Sequence, residues 1–564
     1  MENHFTKRRA KIVATLGPAS NDVETIKKLI RAGLNVARIN MSHGTHEGHK
    51  EVIENVREAS RQIGWEVAIL LDLQGPKIRV DKLEKNLVLA EGEEWVIGET
   101  KLKDKYPEYQ DKFIPTIYEN LVKDSKVGDR ILFDDGNLQA VATEHDREVL
   151  KIKVSVGGEL KSNKGINLPD SNVSAPSFTE KDEKDLMFGL TQNIDFVALS
   201  FVRRKEDILK VKYLLHKLKV HTPIVAKIEK PQALDNIEGI LDVTDGIMVA
   251  RGDMGVEIGN HLVPRVQKEL IDKCNNRGIP VITATQMMES MIENPVPTRA
   301  EASDVANAIW DGTDAVMLSA ESAAGKYPVV AVEMMASIIK EAEKNPKERP
   351  YLRHVDLSSI NASTMVAASL IAEKTGAKSI LSVTETGNSL LKLSRFRPKN
   401  RVMGVTTSVE TLRRMCLYWG VTPFLLKNYD ADDEGLEFEI IKQVKEGISL
   451  VNGDKIVITR GDGKFFKRGS SNSLRVETIK DKPKVESGEE YLEHVEFDKG
   501  AINLSTITCA GCQSCVSICP HDIWAVRNDS NNHTYINESK VSECSLDMEC
   551  VRVCPTGAIE IIPK

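Results

Sequence analysis

The sequence predicts a multidomain α/β protein. A closed (β/α)8 TIM barrel carries an inserted β-barrel lid, an open α/β domain follows it, and a ferredoxin-like α+β module ends the chain. Three observations predict this. Eight short apolar runs, most followed by an amphipathic helical pattern, recur through the first 330 or so residues, and strand alternating with helix eight times is the sequence form of a parallel barrel. The alternation breaks once and resumes later in shorter form. Seven of the nine cysteines fall between Cys509 and Cys554. At 564 residues the chain also exceeds the ~250–300 at which a single core stops growing, so several domains are needed.

The eight runs are KIVATLG, LNVARIN, VAILLDL, IDFVALSF, PIVAKIE, GIMVARGD, PVITATQ and DAVMLSAE. All but the first end in side chains of chemical interest: Arg38 and Asn40, Asp72, Ser200, Lys227 and Glu229, Arg251 and Asp253, Thr285 and Gln286, Ser319 and Glu321. Barrel active sites lie at the carboxyl ends of the strands, so these residues should meet at one mouth. Between the third and fourth units, from about Arg79 to Ser174, short alternating strands with turn signals replace the pattern, and an insertion there is placed to act as a lid. The expected divisions are the barrel over 1–78 and 175–345, the lid over 79–174, the α/β domain over 346–480, a linker over 481–500 and the cysteine-rich module over 501–564.

Composition is that of an ordinary soluble protein, 41% hydrophobic and 5% aromatic. The formal charge of −7 arises wholly beyond residue 480, where fourteen Asp and Glu face seven Lys and Arg. An acidic module suits docking on a basic redox partner, and equally a solvated surface. The start, MENHFTKRRAKIV, has charges where a secretory segment needs an apolar run, and no stretch of ~18 apolar residues appears. A cytoplasmic protein with no membrane or nucleic-acid partner is expected. Clustered thiols in a reducing compartment then read as metal ligands, and Cys274 and Cys416 as buried free thiols.

Glu229 and Asp253 each end a strand and could together hold one divalent cation, Mg2+ or Mn2+. Lys227, two residues from Glu229, faces the same side of its strand. With Arg38 they form a set able to stabilise the oxygens of a phosphoryl group in transfer. No GxxxxGK[ST] loop or protein-kinase signature is present, so phosphate is not held in those ways. Singly, each charge reads as an ion pair bracing a barrel; at seven of eight strand ends, together, they read as a site. HGTHEGH, with His43, His46 and His49, drifts off one helical face and reads poorly as a metal site.

CAGCQSCVSICP is a CxxCxxCxxxCP iron–sulfur signature, and CSLDMECVRVCP repeats it with Asp547 at the second cysteine position. The crosswise rule of two-cluster ferredoxins assigns Cys509, Cys512, Cys515 and Cys554 to one [4Fe–4S] cluster. It assigns Cys519, Cys544, Asp547 and Cys550 to the other. A carboxylate binds iron less tightly than a thiolate. The second site is therefore an Asp-ligated [4Fe–4S], a [3Fe–4S] lacking that iron, or no cluster, with some form of cluster expected from the three retained cysteines.

Residues 8–480 resemble pyruvate kinase throughout. The stretches that carry the resemblance are RRAKIVATLGPAS, NVARINMSHGTHEGH, LLDLQGPKIR, KGINLPD, DFVALSFVR, IVAKIEKPQAL, DGIMVARGDMGVEI, ITATQMMESM, PTRAEASDVANAIWDGTDAVMLSAESAAGKYP and the TETGNS loop. The resemblance implies phosphoryl transfer from phosphoenolpyruvate to ADP, giving pyruvate and ATP, in a homotetramer. It implies that Glu229 and Asp253 ligate the metal, Lys227 stabilises the transferring group, and Arg38 anchors the phosphate. Amides near Gly252 and Asp253 would receive the substrate carboxylate, Thr285 would sit over the enolate, and Ser319 would belong to the proton relay. Pro18, Asn40, His43, Arg79 and Lys164 fall on the nucleotide side. Asn40, Ser42, Asp72 and Leu73 match a monovalent-cation site, but Lys77 stands where K+-requiring relatives carry glutamate, so K+ independence is expected. Thr384, Thr386, Gly387, Asn388 and Ser389 form the loop that in this family takes sugar-phosphate effectors. The companion stretch RGDGKFFKRGSSNS departs from the family pattern and leaves a sugar phosphate, a nucleotide or no effector open. The tail resembles bacterial-type ferredoxins and implies redox sensing or a redox partner. The competing reading is an electron-transfer protein on a kinase platform, and a full catalytic set argues for the enzyme.

Overall fold

The computed structural model describes residues 8–76, 78–345, 357–427, 436–448, 450–461, 471–479, 493–505, 508–509, 511–526 and 533–564. Lys77, most of the companion stretch RGDGKFFKRGSSNS and much of the expected linker lie outside them.

Each of the eight runs forms a strand: β1 (Lys11–Thr15), β2 (Val36–Asn40), β3 (Ala68–Asp72), β4 (Phe196–Leu199), β5 (Ile224–Ile228), β6 (Gly246–Ala250), β7 (Val281–Ala284) and β8 (Ala315–Leu318). They pair in parallel with their neighbours in chain order, and β8 returns to β1, closing the barrel. Their uninterrupted apolar character follows from burial on both sides: Ile12, Ile39, Leu71, Val197 and Ile247 are all within 1% of full burial in one contiguous core. Polar residues end the surrounding helices. Asp22 accepts the Thr25 amide at the start of the helix Val23–Ala32, and Thr298 and Glu301 form a capping box at Arg299–Asp311.

The insertion is a six-stranded sheet in the order 166–167, 130–133, 138–146, 149–156, 94–99, 113–116, with a two-stranded ribbon beside it. Its own core contains Trp95, Ile97, Phe133, Leu150 and Ile152. The later α/β sheet runs 421–425, 401–406, 379–383, 455–461, 471–478, with the last strand antiparallel. In the tail, the strand Gly500–Leu504 pairs with Glu493–Phe497 and with Ile559–Pro563, so AINL and AIEII bracket the cysteines as neighbours in one sheet.

The chain forms two compact units. One holds 1–358 with 390–397 and 409–423; the other holds 359–389, 398–408 and 424–564. Within the first, Arg397 explains why the segment before it packs with the barrel. Its guanidinium donates to Asp314 Oδ1 and Asn275 Oδ1, both at 2.7 Å, and lies 4.6 Å from the centre of the Trp419 ring. No helix among the described residues is long and apolar enough to cross a membrane.

Candidate active site

Lys227, near the end of β5, is surrounded by acceptors. Its Nζ lies 3.1 Å from Glu229 Oε1 and 3.2 Å from Asp72 Oδ1, and donates to Ser200 Oγ at 2.8 Å. Burial alone would favour the neutral amine, but Asp72 and Glu229 outweigh it and hold the ammonium well above its ordinary range. Asp72, 1% exposed, is shared: its Oδ2 accepts Arg38 Nε at 2.7 Å. Burial would raise its carboxyl, and Lys227 and Arg38 together hold it below the usual value. Arg38 NH1 also donates to Thr15 Oγ1 at 2.8 Å, so three strand ends position one guanidinium.

Glu229 is as buried as Asp72, and its Oε2 accepts the Phe201 amide at 2.7 Å. Among the described residues its Oε1 has no donor besides the Lys227 ammonium, 3.1 Å away. Burial first, then the charge of Asp253, push this carboxyl above the ordinary range, with Lys227 opposing. A buried carboxylate with an open oxygen, raised by a second carboxylate, is a pair that a divalent cation would satisfy, and the residues present fit one.

Thr285 closes β7 at φ +65°, and Gln286 follows at +52°. Left-handed backbone is costly for a β-branched residue, and Arg251 compensates it. That guanidinium, 7% exposed, donates to the Thr285 carbonyl at 2.8 Å, the Gln286 carbonyl at 2.9 Å and Asp304 Oδ1 at 2.8 Å. Arg251 is therefore a brace behind the site rather than a group at its mouth, as its place at a strand end had suggested. The Gly252 amide donates to Thr285 Oγ1 at 2.7 Å, so the first turn of the helix Arg251–Ile258 is tied to the same threonine. Glu321 is a second brace, accepting the Ser319 amide at 2.7 Å. The Ser319 hydroxyl is buried and has no partner among the described residues.

Thr15, Pro18, Arg38, Asn40, His43 and Ser319 line one cavity of 760 Å³. Arg79 and Lys164 are not in its wall. They stand at the base of the lid, where Arg79 donates to the Asn163 carbonyl and Lys164 pairs with Asp134 at 2.6 Å. Asn40 Oδ1 accepts the Ser42 amide at 3.1 Å, and the Leu73 carbonyl accepts Ser200 Oγ at 2.6 Å. His46 pairs with Asp185 and stacks on Phe188, and His49 Nε2 lies 2.7 Å from the His43 carbonyl. In the TETGNS loop Thr384 Oγ1 accepts the Gly387 amide at 2.9 Å, Ser382 Oγ lies 3.5 Å from Ser389 Oγ, and a helix runs over Asn388–Arg395.

The tail brings its cysteines and Asp547 together in two groups. Cys509, Cys512, Cys515 and Cys554 line one void, and Cys519, Cys544, Asp547 and Cys550 line another. The backbone repeats as well: Gly511 and Gln513 flank Cys512 at φ +62° and +61°, and Leu546 and Met548 flank Asp547 at +58° and +66°. Asp547 thus occupies the place of Cys512 in the second half. Its Oδ2 accepts Ser545 Oγ at 2.5 Å and its Oδ1 the Glu549 amide at 3.1 Å. Burial pushes Cys515 up to about 11 and Cys550 up to about 12, so these thiols ionise only beside a positive core.

Sequence marks Ser200 only as the end of the DFVAL run and does not mark Phe201; their roles as partners of Lys227 and Glu229 emerge from the structure. The Arg251 brace left no local signal, because its acceptors are carbonyls.

A barrel with an inserted lid, a charged mouth and a thiol-lined terminal module defines a barrel enzyme that carries an iron–sulfur domain. The family descriptions "Pyruvate kinase, barrel domain" over residues 7–332, "Pyruvate kinase, alpha/beta domain" over 362–477 and "4Fe-4S dicluster domain" over 496–558 all match. Similar proteins include those named pyruvate kinase in Staphylococcus aureus strains MRSA252, bovine RF122 / ET3-1 and USA300. Each is 44% identical over 481 residues, covering 84% of this chain and 81% of the relative. The chain belongs to the pyruvate kinase family.

Proposed function

We propose that the mouth of the barrel transfers the phosphoryl group of phosphoenolpyruvate to ADP, giving pyruvate and ATP, in the roles assigned here to its residues. The observation that carries this reading is the Lys227 ammonium, held charged between Asp72 and Glu229 beside a carboxylate oxygen that has no other partner. Glu229 and Asp253 would hold Mg2+ or Mn2+, which when bound neutralises charge on the phosphoryl oxygens. Lys227 and Arg38 present fixed positive charge to the group in transfer, and because Asp72 pins both, little reorganisation is needed as charge moves. The Ser319 hydroxyl, which lines the cavity with no partner among the described residues, would pass a proton to the enolate carbon, and Thr285, whose Oγ1 accepts the Gly252 amide at 2.7 Å, would sit over the enolate. Pro18, Asn40 and His43 would receive the nucleotide, with Arg79 and Lys164 brought in from the lid.

K+ independence is part of the reading. Lys77 supplies a charge in sequence where K+-requiring relatives carry glutamate. Of the potassium-type ligands, Asp72 is engaged by Arg38 and Lys227 and the Leu73 carbonyl by Ser200. The tail would carry one [4Fe–4S] on four thiolates and a second cluster on three thiolates and Asp547, serving redox sensing or the docking of a redox partner. The TETGNS loop would take a phosphorylated effector, in a homotetramer.

Steady-state turnover of phosphoenolpyruvate and ADP tests the site and the cation reading together. Wild type should lose less than about twofold in kcat when K+ is replaced by tetramethylammonium, and Lys227→Met should lose about 10²–10³-fold in either salt, the scale of removing one preorganised donor. A Lys227→Met variant with wild-type kcat would overturn the site, and strong K+ dependence of the wild type would overturn the cation reading alone.

A further inference from the structure

Glu257 lies outside the set that sequence singles out, yet it is 1% exposed and joins three segments around the metal-ligand pair. It stands four residues after Asp253 on the helix Arg251–Ile258, and therefore on the same helical face. Its Oε1 accepts from Asn167 Nδ2 of the lid at 2.8 Å and is ion-paired with Lys230 Nζ. Lys230 follows Glu229 directly in the chain and lies over the Phe201 ring at 5.8 Å, and the Phe201 amide is the one that holds Glu229 Oε2. Lys230, Phe201, Asn167 and Asp253 line one cavity. A lysine ammonium thus shares a cavity with one carboxylate of the divalent pair and adjoins the other in sequence. Unpaired, it would compete with the cation for both.

We propose that Glu257 is a positioning residue for the divalent-cation site: its carboxylate neutralises Lys230 and fixes the ammonium away from Glu229 and Asp253, so that the pair is free to take the metal. The lid amide of Asn167 keeps that carboxylate oriented. This rests on the reading of Glu229 and Asp253 as the metal ligands.

Direct Mn2+ binding to the full-length protein, followed by the EPR signal of free Mn2+ with no substrate present, tests it without reference to turnover. Glu257→Gln should weaken Mn2+ binding about tenfold, the scale of losing a partner behind a metal site. Adding Lys230→Met to Glu257→Gln should restore it to within about twofold, because the competing charge is gone. Lys230→Met alone leaves Glu257 in place and should bind Mn2+ at least as tightly as wild type, which keeps the test open if Glu257→Gln folds poorly. Wild-type affinity in Glu257→Gln, a double variant as weak as the single one, or tenfold weaker binding in Lys230→Met would each overturn the proposal. Glu229→Gln separates the two failures: Mn2+ binding undiminished in that variant would overturn the metal-site reading itself, and the proposal with it.

Discussion

A lysine buried at the opposite end of a barrel strand from the site shows what single residues cost here. Lys11, 6% exposed at the start of β1, donates to the Val421 carbonyl at 2.6 Å. Burial lowers its ammonium to about 8, with Cys416 opposing and Arg8 adding to the shift. A lowered lysine means that the folded state holds its proton less tightly than the unfolded chain. Below pH ~8 both states are protonated and the full cost of burying the charge is felt. Between pH ~8 and ~10.5 only the unfolded chain is protonated, so this group's contribution to stability rises with pH, and above that window it is level. The cost at neutral pH is on the order of 3 kcal/mol. Lys11→Met should therefore raise the melting temperature at pH 7, with the gain over wild type shrinking as pH approaches 10; a gain that grew with pH would contradict the assignment. Nothing in KIVATLG marks Lys11 as buried, because a lysine at the start of a strand ordinarily reaches water.

At the scale of elements, what was legible was whatever the periodicity of the chain records. Continuous apolar runs identified all eight barrel strands because parallel strands are buried on both faces, and the alternating VGDRILFDDGNLQAV marked the lid because one face of its sheet is exposed. The turn after β7 was not legible. Its left-handed residues are Thr285 and Gln286, with no glycine to announce them, and the group that stabilises them, Arg251, is distant in sequence and meets carbonyls. Glu257 did have a signal, its spacing from Asp253 in GDMGVEI, but a second carboxylate on a helix face reads first as solvated. Lysine cannot reproduce the forked contacts of Arg251 to two carbonyls and Asp304. Arg251→Lys should cost about 1–2 kcal/mol of stability, as leaving hydrogen-bonded carbonyls without a donor does. It should also lower kcat more than it raises KM, since the displaced Thr285 is the residue proposed to sit over the enolate. Unchanged kcat with an unchanged melting temperature would remove the brace from the account.

At the scale of the whole molecule the charge divides as the chemistry does: the first 480 residues are neutral overall and carry a phosphotransferase, whereas the acidic remainder carries seven of the nine thiols. The cysteine spacing made the two groupings of side chains legible in advance, because each run places three positions around one void and sends its last cysteine across to the other. What spacing could not say is whether position 547 still faces its void, and the repeat of left-handed residues on both sides of it answers that in geometric terms. Asp547 lines the void while its oxygens accept from Ser545 and the Glu549 amide, contacts that hold the carboxylate below its usual pKa, the Ser545 bond first. An ionised oxygen ligand at an exposed corner holds its iron less firmly than a thiolate would, and that corner should be the first to empty under oxygen. Full-length protein purified anaerobically should lose about one iron per chain on brief exposure to air and gain the EPR signal of an oxidised [3Fe–4S] cluster, restored by Fe2+ and reductant. Asp547→Cys should keep that iron under the same exposure, with the first cluster's spectrum unchanged. Equal iron loss from wild type and Asp547→Cys would show that the carboxylate is not the weak ligand, and would move the weakness to the solvent exposure of the void itself.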